Sequence, residues 1–270
     1  MFFSEIIRKI FHPYFISHSK RVLGISYRDD QFELNRISTI ARYKQGNTNL
    51  IKNEFHFIDS ESFINQFKDI WQKEILHFDS DNEAPLIIDC GSNIGLSVCY
   101  FKKKFPKSRI IAFEPDPKIF KTLTQNTKEF DKKNLKLLNL AVWNRDSTLS
   151  FCQNGADGGT LSKEGNIVVN TVNLSDYLNQ KIDFLKIDIE GAESVVLPSI
   201  ESKLHNVKNL FLELHVKKDQ PELLETTCSI LRKNKFRYKI ETVGNTNFRS
   251  FVQTDNDEMQ LNFFAINENP

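Results

Sequence analysis

The chain has 270 residues, 40% hydrophobic and 26% charged, a balance that suits a soluble globular protein with one large domain and a small extension. Its 36 basic and 35 acidic residues leave a net charge of +1, so no global field favours nucleic acid or an anionic membrane. No apolar run reaches the roughly 18 residues that a membrane span needs, and the four cysteines, Cys90, Cys99, Cys152 and Cys228, lack the paired spacing of a zinc site and read as reduced thiols of a cytoplasmic protein.

Residues 1–83 read as a helical N-terminal extension that covers the substrate or cofactor. Met1 to Gly24 mixes Phe and Ile with Arg8, Lys9, Lys20 and Arg21. It lacks the unbroken apolar stretch of a signal peptide. It is expected to pack as a helix on the domain, with weak peripheral membrane contact as the alternative. Glu33 to Arg42 is too polar for a buried strand. Phe63, Phe67, Ile70, Trp71, Ile75 and Phe78 recur at helical spacing, which predicts a helix over Ser60 to Phe78. The polar run from Asp79 to Glu83 marks a boundary, with the main domain covering 84–270.

From Ala84 short apolar runs alternate with amphipathic stretches, the pattern of βαβ units and a parallel sheet. Strands are expected at Leu86–Asp89, Arg109–Phe113, Leu135–Val142, Phe184–Asp188 and Asn209–His215. Helices are expected at Ile94–Lys104, Lys118–Phe130, Ala192–Leu204 and Pro221–Asn234. Thr148–Phe151 and Ile167–Val172 read as a β-hairpin insertion around a loop, Asn154 to Thr160, that holds three of the ten glycines. Phe236–Glu241 and Leu261–Ile266 follow without an intervening helix and predict an antiparallel pair closing the sheet. The fold class is therefore α/β, Rossmann-like, with seven strands, mostly parallel, and an antiparallel last strand.

Asp89-Cys90-Gly91-Ser92-Asn93-Ile94-Gly95 follows the first strand and opens a helix. Gly91 permits a tight turn, and Gly95 permits backbone or ligand to approach the helix start. Free N–H groups at such a terminus can receive a carboxylate. Glu114 ends the second strand 19 residues after Gly95, where a carboxylate accepts hydrogen bonds from both ribose hydroxyls of an adenosine group. Asn93 stands where a dinucleotide fingerprint has its second glycine, and Asp89 would repel a diphosphate while suiting an ammonium or sulfonium group.

The run from Phe184 to Glu193 repeats the strand–turn–helix form with an acidic tip. Alternation puts Lys186 and Asp188 on one face, and Glu213 and His215 on one face of the following strand. Asp188, Glu190, Glu213 and His215 are the candidate catalytic residues. His215, Glu190 or Asp188 would accept a proton. A divalent cation on Asp188 and Glu213 is a lesser version that lacks a visible third ligand. Glu193 reads as a first-turn acid favoured by the helix dipole.

The segments IIDCGSNIGLS (87–97), FEPDP (113–117), NLAVW (139–143), LKIDIEGAE (185–193) and LELH (212–215) resemble those of FkbM-type methyltransferases. The resemblance spans roughly residues 84 to 216. It implies a seven-stranded Rossmann-like fold, S-adenosyl-L-methionine as cofactor, and methyl transfer to a hydroxyl of a sugar in a glycan, glycolipid or natural product. It implies that Asp89, Gly91, Asn93 and Gly95 surround the methionyl part, that Glu114 holds the ribose, and that Ala141 lies near the adenine. The acceptor is a small molecule or glycan, with its pocket expected between the extension and the Gly155–Thr160 loop. A nicotinamide-dependent oxidoreductase and a cofactor-binding partner without catalysis are the competing readings. Oligomeric state is not specified.

Overall fold

A computed structural model describes residues 25–52, 54–153, 158–161, 164–243 and 258–268. The Met1–Gly24 segment and Asn154 to Asp157 of the glycine loop lie outside the described residues. The chain divides into two compact units, Met1–Ile64 and Asn65–Pro270. The division falls before the polar run expected to mark it, because residues from Asn65 to Phe78 pack into the larger unit.

In the smaller unit, helix α1 (Ile25–Ser38) precedes a two-stranded antiparallel ribbon of β1 (Gly46–Thr48) and β2 (Phe55–Phe57). Phe57 stacks on Phe63 at 5.2 Å. Asp59 is buried, caps Ser62 N–H, and receives Tyr43 N–H and the Arg42 guanidinium. These donors outweigh burial and hold its carboxyl at about 2.

Helix α2 (Ser60–Phe67) is shorter than its apolar repeat suggests. It runs into a π-helical turn, Lys68–Gln72, closed by Lys73 N–H donating to Lys68 O at 2.8 Å. The wider turn rotates the Trp71 indole so that its Nε1 donates to Leu96 O at 3.3 Å, with Tyr100 edge-on to the ring at 6.0 Å. Single π turns of this kind often sit at functional sites.

The larger unit is built on a seven-stranded sheet. Its strands are β3 (Leu86–Cys90), β4 (Arg109–Phe113), β5 (Leu135–Leu138), β10 (Ile182–Ile187), β11 (Val207–Lys217), β12 (Phe236–Thr242) and β13 (Glu258–Asn267), in the order β12-β13-β11-β10-β3-β4-β5. Strands β11, β10, β3, β4 and β5 are mutually parallel, and β13 runs antiparallel to both β11 and β12. The sheet is the one expected, including the antiparallel closure. Strand β3 has β4 on one side and β10 on the other, so chain order reverses there, and ligands of open α/β sheets bind at that crevice.

Helices α3 (Leu96–Lys104), α4 (Pro117–Asn126), α5 (Glu193–Ile200) and α6 (Leu223–Lys233) connect the strands. Asp116 caps α4 through Lys118 N–H, with Pro117 at the first turn where its missing donor costs nothing. Leu86, Ile88 and Cys90 join Leu185, Ile187, Val196 and Leu210 in one buried cluster. By alternation Phe184 points to the opposite face, where it meets Phe78 at 4.7 Å and Phe101 at 5.2 Å.

Two expectations about strands are corrected. The stretch Leu135–Val142 is not one strand: β5 ends at Leu138, and β6 (Ala141–Trp143) turns away into a second sheet. The Asn139 side chain holds that corner by donating to Glu114 O at 2.8 Å and Pro115 O at 2.9 Å. The insertion is also more than a hairpin. Its antiparallel pair β7 (Ser147–Cys152) and β9 (Ile167–Asn173) is extended by β8 (Thr160–Leu161) and by β6, parallel to β9.

Candidate functional site

A cavity of about 370 Å³ opens in the larger unit at the carboxyl ends of β3, β4, β10 and β11, a size within the ordinary range for small-ligand sites. The turn after β3, Glu114, Ala141, Asp188, Glu190 and Glu213 all line it. The sequence therefore brings most of its candidate residues to one place.

Glu114 lies at one end, 5% exposed. Its Oε2 accepts Asn93 N–H at 3.0 Å and its Oε1 accepts Asp116 N–H at 2.8 Å. Burial, only partly offset by those two donors, pushes its carboxyl up to about 8. Each oxygen keeps a second lone pair, so donors brought by a ligand would favour the ionised form. Ala141, at the start of β6, and Phe113, Leu140 and Ile119 form the apolar wall beside it.

The turn from Gly91 to Gly95 differs from expectation in its hydrogen bonding. Gly91 and Ser92 N–H both donate to Phe113 O, Gly95 N–H donates to Ser92 O, and Ile94 N–H is taken by the Asn93 side chain at 2.6 Å. These N–H groups hold β3 to β4, while Gly91, Ser92 and Asn93 line the cavity. The next N–H groups, at the first turn of α3, start an intrahelical ladder and have no intrahelical acceptor, and Leu96 and Ser97 line the cavity.

The two glycines have separate tasks. A Cβ on Gly91 would lie 1.8 Å from Asp188 O, so the turns after β3 and β10 touch through it. A Cβ on Gly95, where φ is +94°, would lie 2.8 Å from Leu123 Cδ1. Gly95 does not line the cavity; it lets α4 pack against the start of α3. Asn93 adopts φ +46° without being glycine.

Asp89, expected beside the methionyl part, is not among the residues that line the cavity. It is fully buried and lies behind the lining, with Oδ2 accepting Ser97 Oγ–H at 2.6 Å. Its Oδ1 makes no hydrogen bond and faces Lys186 Nζ at 3.7 Å. Its charge is met inside the protein. Lys186, which the sequence placed beside Asp188 without assigning it a role, is the hub: Nζ donates to Asp188 Oδ2 at 3.0 Å and to Gly91 O at 2.8 Å. Burial opposes its charge, but Asp188 and Asp89 outweigh burial and hold it above the usual lysine range.

His215 does not line the cavity. It is 1% exposed and sits among three carboxylates: Glu193 at 3.4 Å from Nδ1, with Glu190 at 3.5 Å and Glu213 at 3.8 Å from Nε2. None is aligned for a hydrogen bond to the ring. Burial alone would lower its pKa; Glu193, Glu190 and Asp188 override burial and raise it to about 10. The structure sets His215, expected as a base, behind the cavity lining rather than on it. Glu193, in the first turn of α5 as expected, is buried and accepts Ile189 N–H at 3.0 Å and Gly191 N–H at 2.9 Å. It clamps a turn in which Glu190 and Gly191 both have positive φ.

Glu213, like Glu114, both lines the cavity and is held near neutrality. Burial, reinforced by the negative Asp188, pushes it up to about 8 against the pull of His215 and Lys186. Among the described residues no three His, Cys, Asp or Glu are grouped to hold a metal ion.

The sequence did not single out the far wall. Asn65, Gln66, Asp69 and Ile70 from α2 and the π turn line it, with Val243 just after β12 and Gln260 from β13. The signal for the first group was the polar positions interleaved with Phe67, Ile70 and Trp71. Of the glycine loop, Gly158 and Gly159 line the cavity.

Residues 89–238 match the family model described as the methyltransferase FkbM domain. The chain is 30% identical over 232 residues to the methyltransferase sdnD of Sordaria araneosa, covering 71% of this chain and 83% of that protein. It is 26% identical over 176 residues to the hexuronic acid methyltransferase AglP of Haloferax volcanii, covering 59% of this chain and 72% of that one. It is 25% identical over 154 residues to the 2-O-methyltransferase NoeI of Sinorhizobium fredii, covering 48% and 63%.

Proposed function

The chain belongs to the FkbM methyltransferase family, and on that premise we propose that it transfers a methyl group from S-adenosyl-L-methionine to a hydroxyl oxygen of a sugar-bearing acceptor. The observation that carries this reading is that one cavity is lined both by the buried Glu114 after β4 and by Glu213 on β11, with β3 and β10 between those strands. The relatives AglP and NoeI support a sugar acceptor and an oxygen target.

The residues present fit such a cofactor. Glu114 offers two unused lone pairs to a vicinal diol. Ala141, Leu140 and Ile119 offer an apolar slot for a flat base. The first turn of α3 at Leu96 and Ser97 offers N–H groups to a carboxylate. The strand tips carry a negative excess: Asp89, Asp188, Glu190 and Glu193, four carboxylates, stand against Lys186 and His215, two cations, and Glu213 adds a fifth carboxylate once ionised. That excess favours a ligand with positive charge.

When bound, the cofactor supplies a methyl group already activated by a sulfonium. The chain's own task is orientation and removal of one proton. Glu213 is the group placed to take the hydroxyl proton, with a pKa near working pH. His215, behind it, is a positioning residue whose positive charge keeps the ionised Glu213 accessible. Lys186 fixes Asp188 and the turn at Gly91, so the acidic rim cannot collapse into the cavity.

Calorimetric titration of the purified chain with S-adenosylhomocysteine, followed by transfer of labelled methyl from S-adenosylmethionine to a panel of methyl glycosides, tests the reading. Binding of the homocysteine compound and a labelled ether product are expected. Absence of binding, or preferential binding of a nicotinamide dinucleotide, would sink it. Binding without product in any acceptor would point to a cofactor-binding partner lacking catalysis.

A further inference from the structure

We infer that the acceptor carries no negative charge near the hydroxyl that is methylated: the cavity is built for a neutral or amine-bearing polyhydroxy compound and against a uronic acid or a phosphorylated sugar. The inference rests on the methyltransferase reading and specifies its substrate class.

The lining holds five carboxylates, Asp69, Glu114, Asp188, Glu190 and Glu213, and among the described residues Lys186 is its only cationic side chain. Lys186 is already committed, to Asp188 at 3.0 Å, Gly91 O at 2.8 Å and Asp89 at 3.7 Å. His215 is buried behind the wall among three carboxylates. The N–H groups of Gly91, Ser92, Asn93, Ile94 and Gly95 are bonded within the protein. An anionic acceptor group entering this cavity would leave water and find no described side-chain cation free to receive it. A desolvated anion without a partner is strongly disfavoured.

The far wall provides the complementary feature. Asn65 and Gln66 from α2 and Gln260 from β13 present carboxamides, which both donate and accept and so match hydroxyl groups without preferring charge. Asp69 on the π turn stands beside them and is paired to the exposed Lys73 at 2.7 Å. Carboxamides and carboxylates together suit hydroxyl and ammonium donors. Protonation of Glu114 and Glu213, both pushed up to about 8, reduces the acidic count to Asp69, Asp188 and Glu190 and still supplies no cation.

The test uses the full chain saturated with S-adenosylhomocysteine, whose binding is first measured by calorimetry. Methyl pyranosides of the gluco, galacto and manno series are then titrated as matched sets: the neutral sugar, its 2-amino analogue and its 6-carboxylate, observed by saturation-transfer NMR. The neutral or amino member of the tightest set is expected to bind at least tenfold more tightly than its uronate. In Asp69→Asn that gap should narrow several-fold. A uronate that binds as tightly as its neutral partner overturns the inference, as does the absence of binding by every sugar. Failure of the homocysteine compound to bind would overturn the methyltransferase reading instead, so the two failures are separable.

Discussion

His215 Nδ1 lies 3.4 Å from Glu193 Oε1, and both side chains are buried. Burial lowers the pKa of His215, but Glu193 and its neighbours raise it from 6.5 to about 10. Below about pH 6.5 the ring is protonated in both folded and unfolded chains, and its stabilisation is fully present. Between there and about pH 10 only the folded chain holds the proton, so stability falls as pH rises. Glu213 and Glu114 are half titrated at about 8 and complete their titrations roughly one pH unit higher, which leaves about pH 9 to 10 as the window that reports on His215. Melting temperature should drop across that window in the wild type and stay nearly flat in His215→Gln. At pH 7 the substitution, which leaves buried carboxylates unpaired, should cost about 3–5 kcal/mol. An unchanged slope in urea or thermal melts would show that the imidazolium is not what the cluster holds.

Glu114 makes a different pH prediction. In the ligand-free chain its carboxyl titrates at about 8, because burial outweighs the two backbone donors. A diol binds the ionised form, so below pH 8 binding must release a proton. Affinity for S-adenosylhomocysteine should therefore rise about tenfold per pH unit from 6 to 8 and level off above it. Glu114→Gln should abolish that slope and, at pH 9, weaken binding by roughly ten- to hundredfold, the equivalent of about 1.5–3 kcal/mol for hydrogen bonds to a charged group. A wild-type affinity that does not vary with pH would remove the ribose assignment.

These two carboxylates show where sequence pattern carries information and where it stops. The alternation of strands and helices, the antiparallel pairing of the last two strands and the meeting of Glu114 with the Gly91 turn were legible, because apolar runs and glycine turns are local signals. The role of Gly95 was not, since its constraint is Leu123 on another helix. Nor was the retreat of Asp89 and His215 behind the lining: alternation says which face a side chain takes, not whether a neighbour's ion pair seals it in. Lys186 is the example, since a lysine in a buried strand acquires its meaning only from the Asp89 and Asp188 it meets. The π turn at Lys68–Gln72 has the same apolar spacing as an α-helix with one irregular step, so Asn65, Gln66 and Asp69 could not be aimed from sequence.

Glu213→Gln tests the proton acceptor. The variant keeps the shape of the side chain and should bind cofactor normally, because β10 and β3 separate Glu213 on β11 from Glu114 after β4. Its kcat should fall by about 10²- to 10⁴-fold. In the wild type kcat should climb with pH through about 8, where Glu213 ionises, and the variant should lose that limb. His215→Gln should instead displace the limb while retaining measurable turnover, as expected of a residue that acts through Glu213. A Glu213→Gln enzyme with unaltered kcat and pH profile would eliminate it from the chemistry.

Gly95 separates packing from ligand contact. Alanine there must adopt φ +94° and bring its Cβ to 2.8 Å from Leu123 Cδ1 and 3.3 Å from Thr127 Cγ2. The left-handed backbone costs roughly 1–2 kcal/mol, and overpacking adds about 1–3 kcal/mol. Urea melts of Gly95→Ala, Leu123→Ala and the double variant should show a favourable coupling of about 0.5–3 kcal/mol, because removing the Leu123 side chain relieves the contact but not the backbone strain. Affinity for S-adenosylhomocysteine should stay close to wild type in whatever fraction remains folded, since Gly95 is not part of the cavity wall. Additive stability effects, or a selective loss of cofactor binding with stability intact, would return Gly95 to the ligand and move α4 out of the explanation.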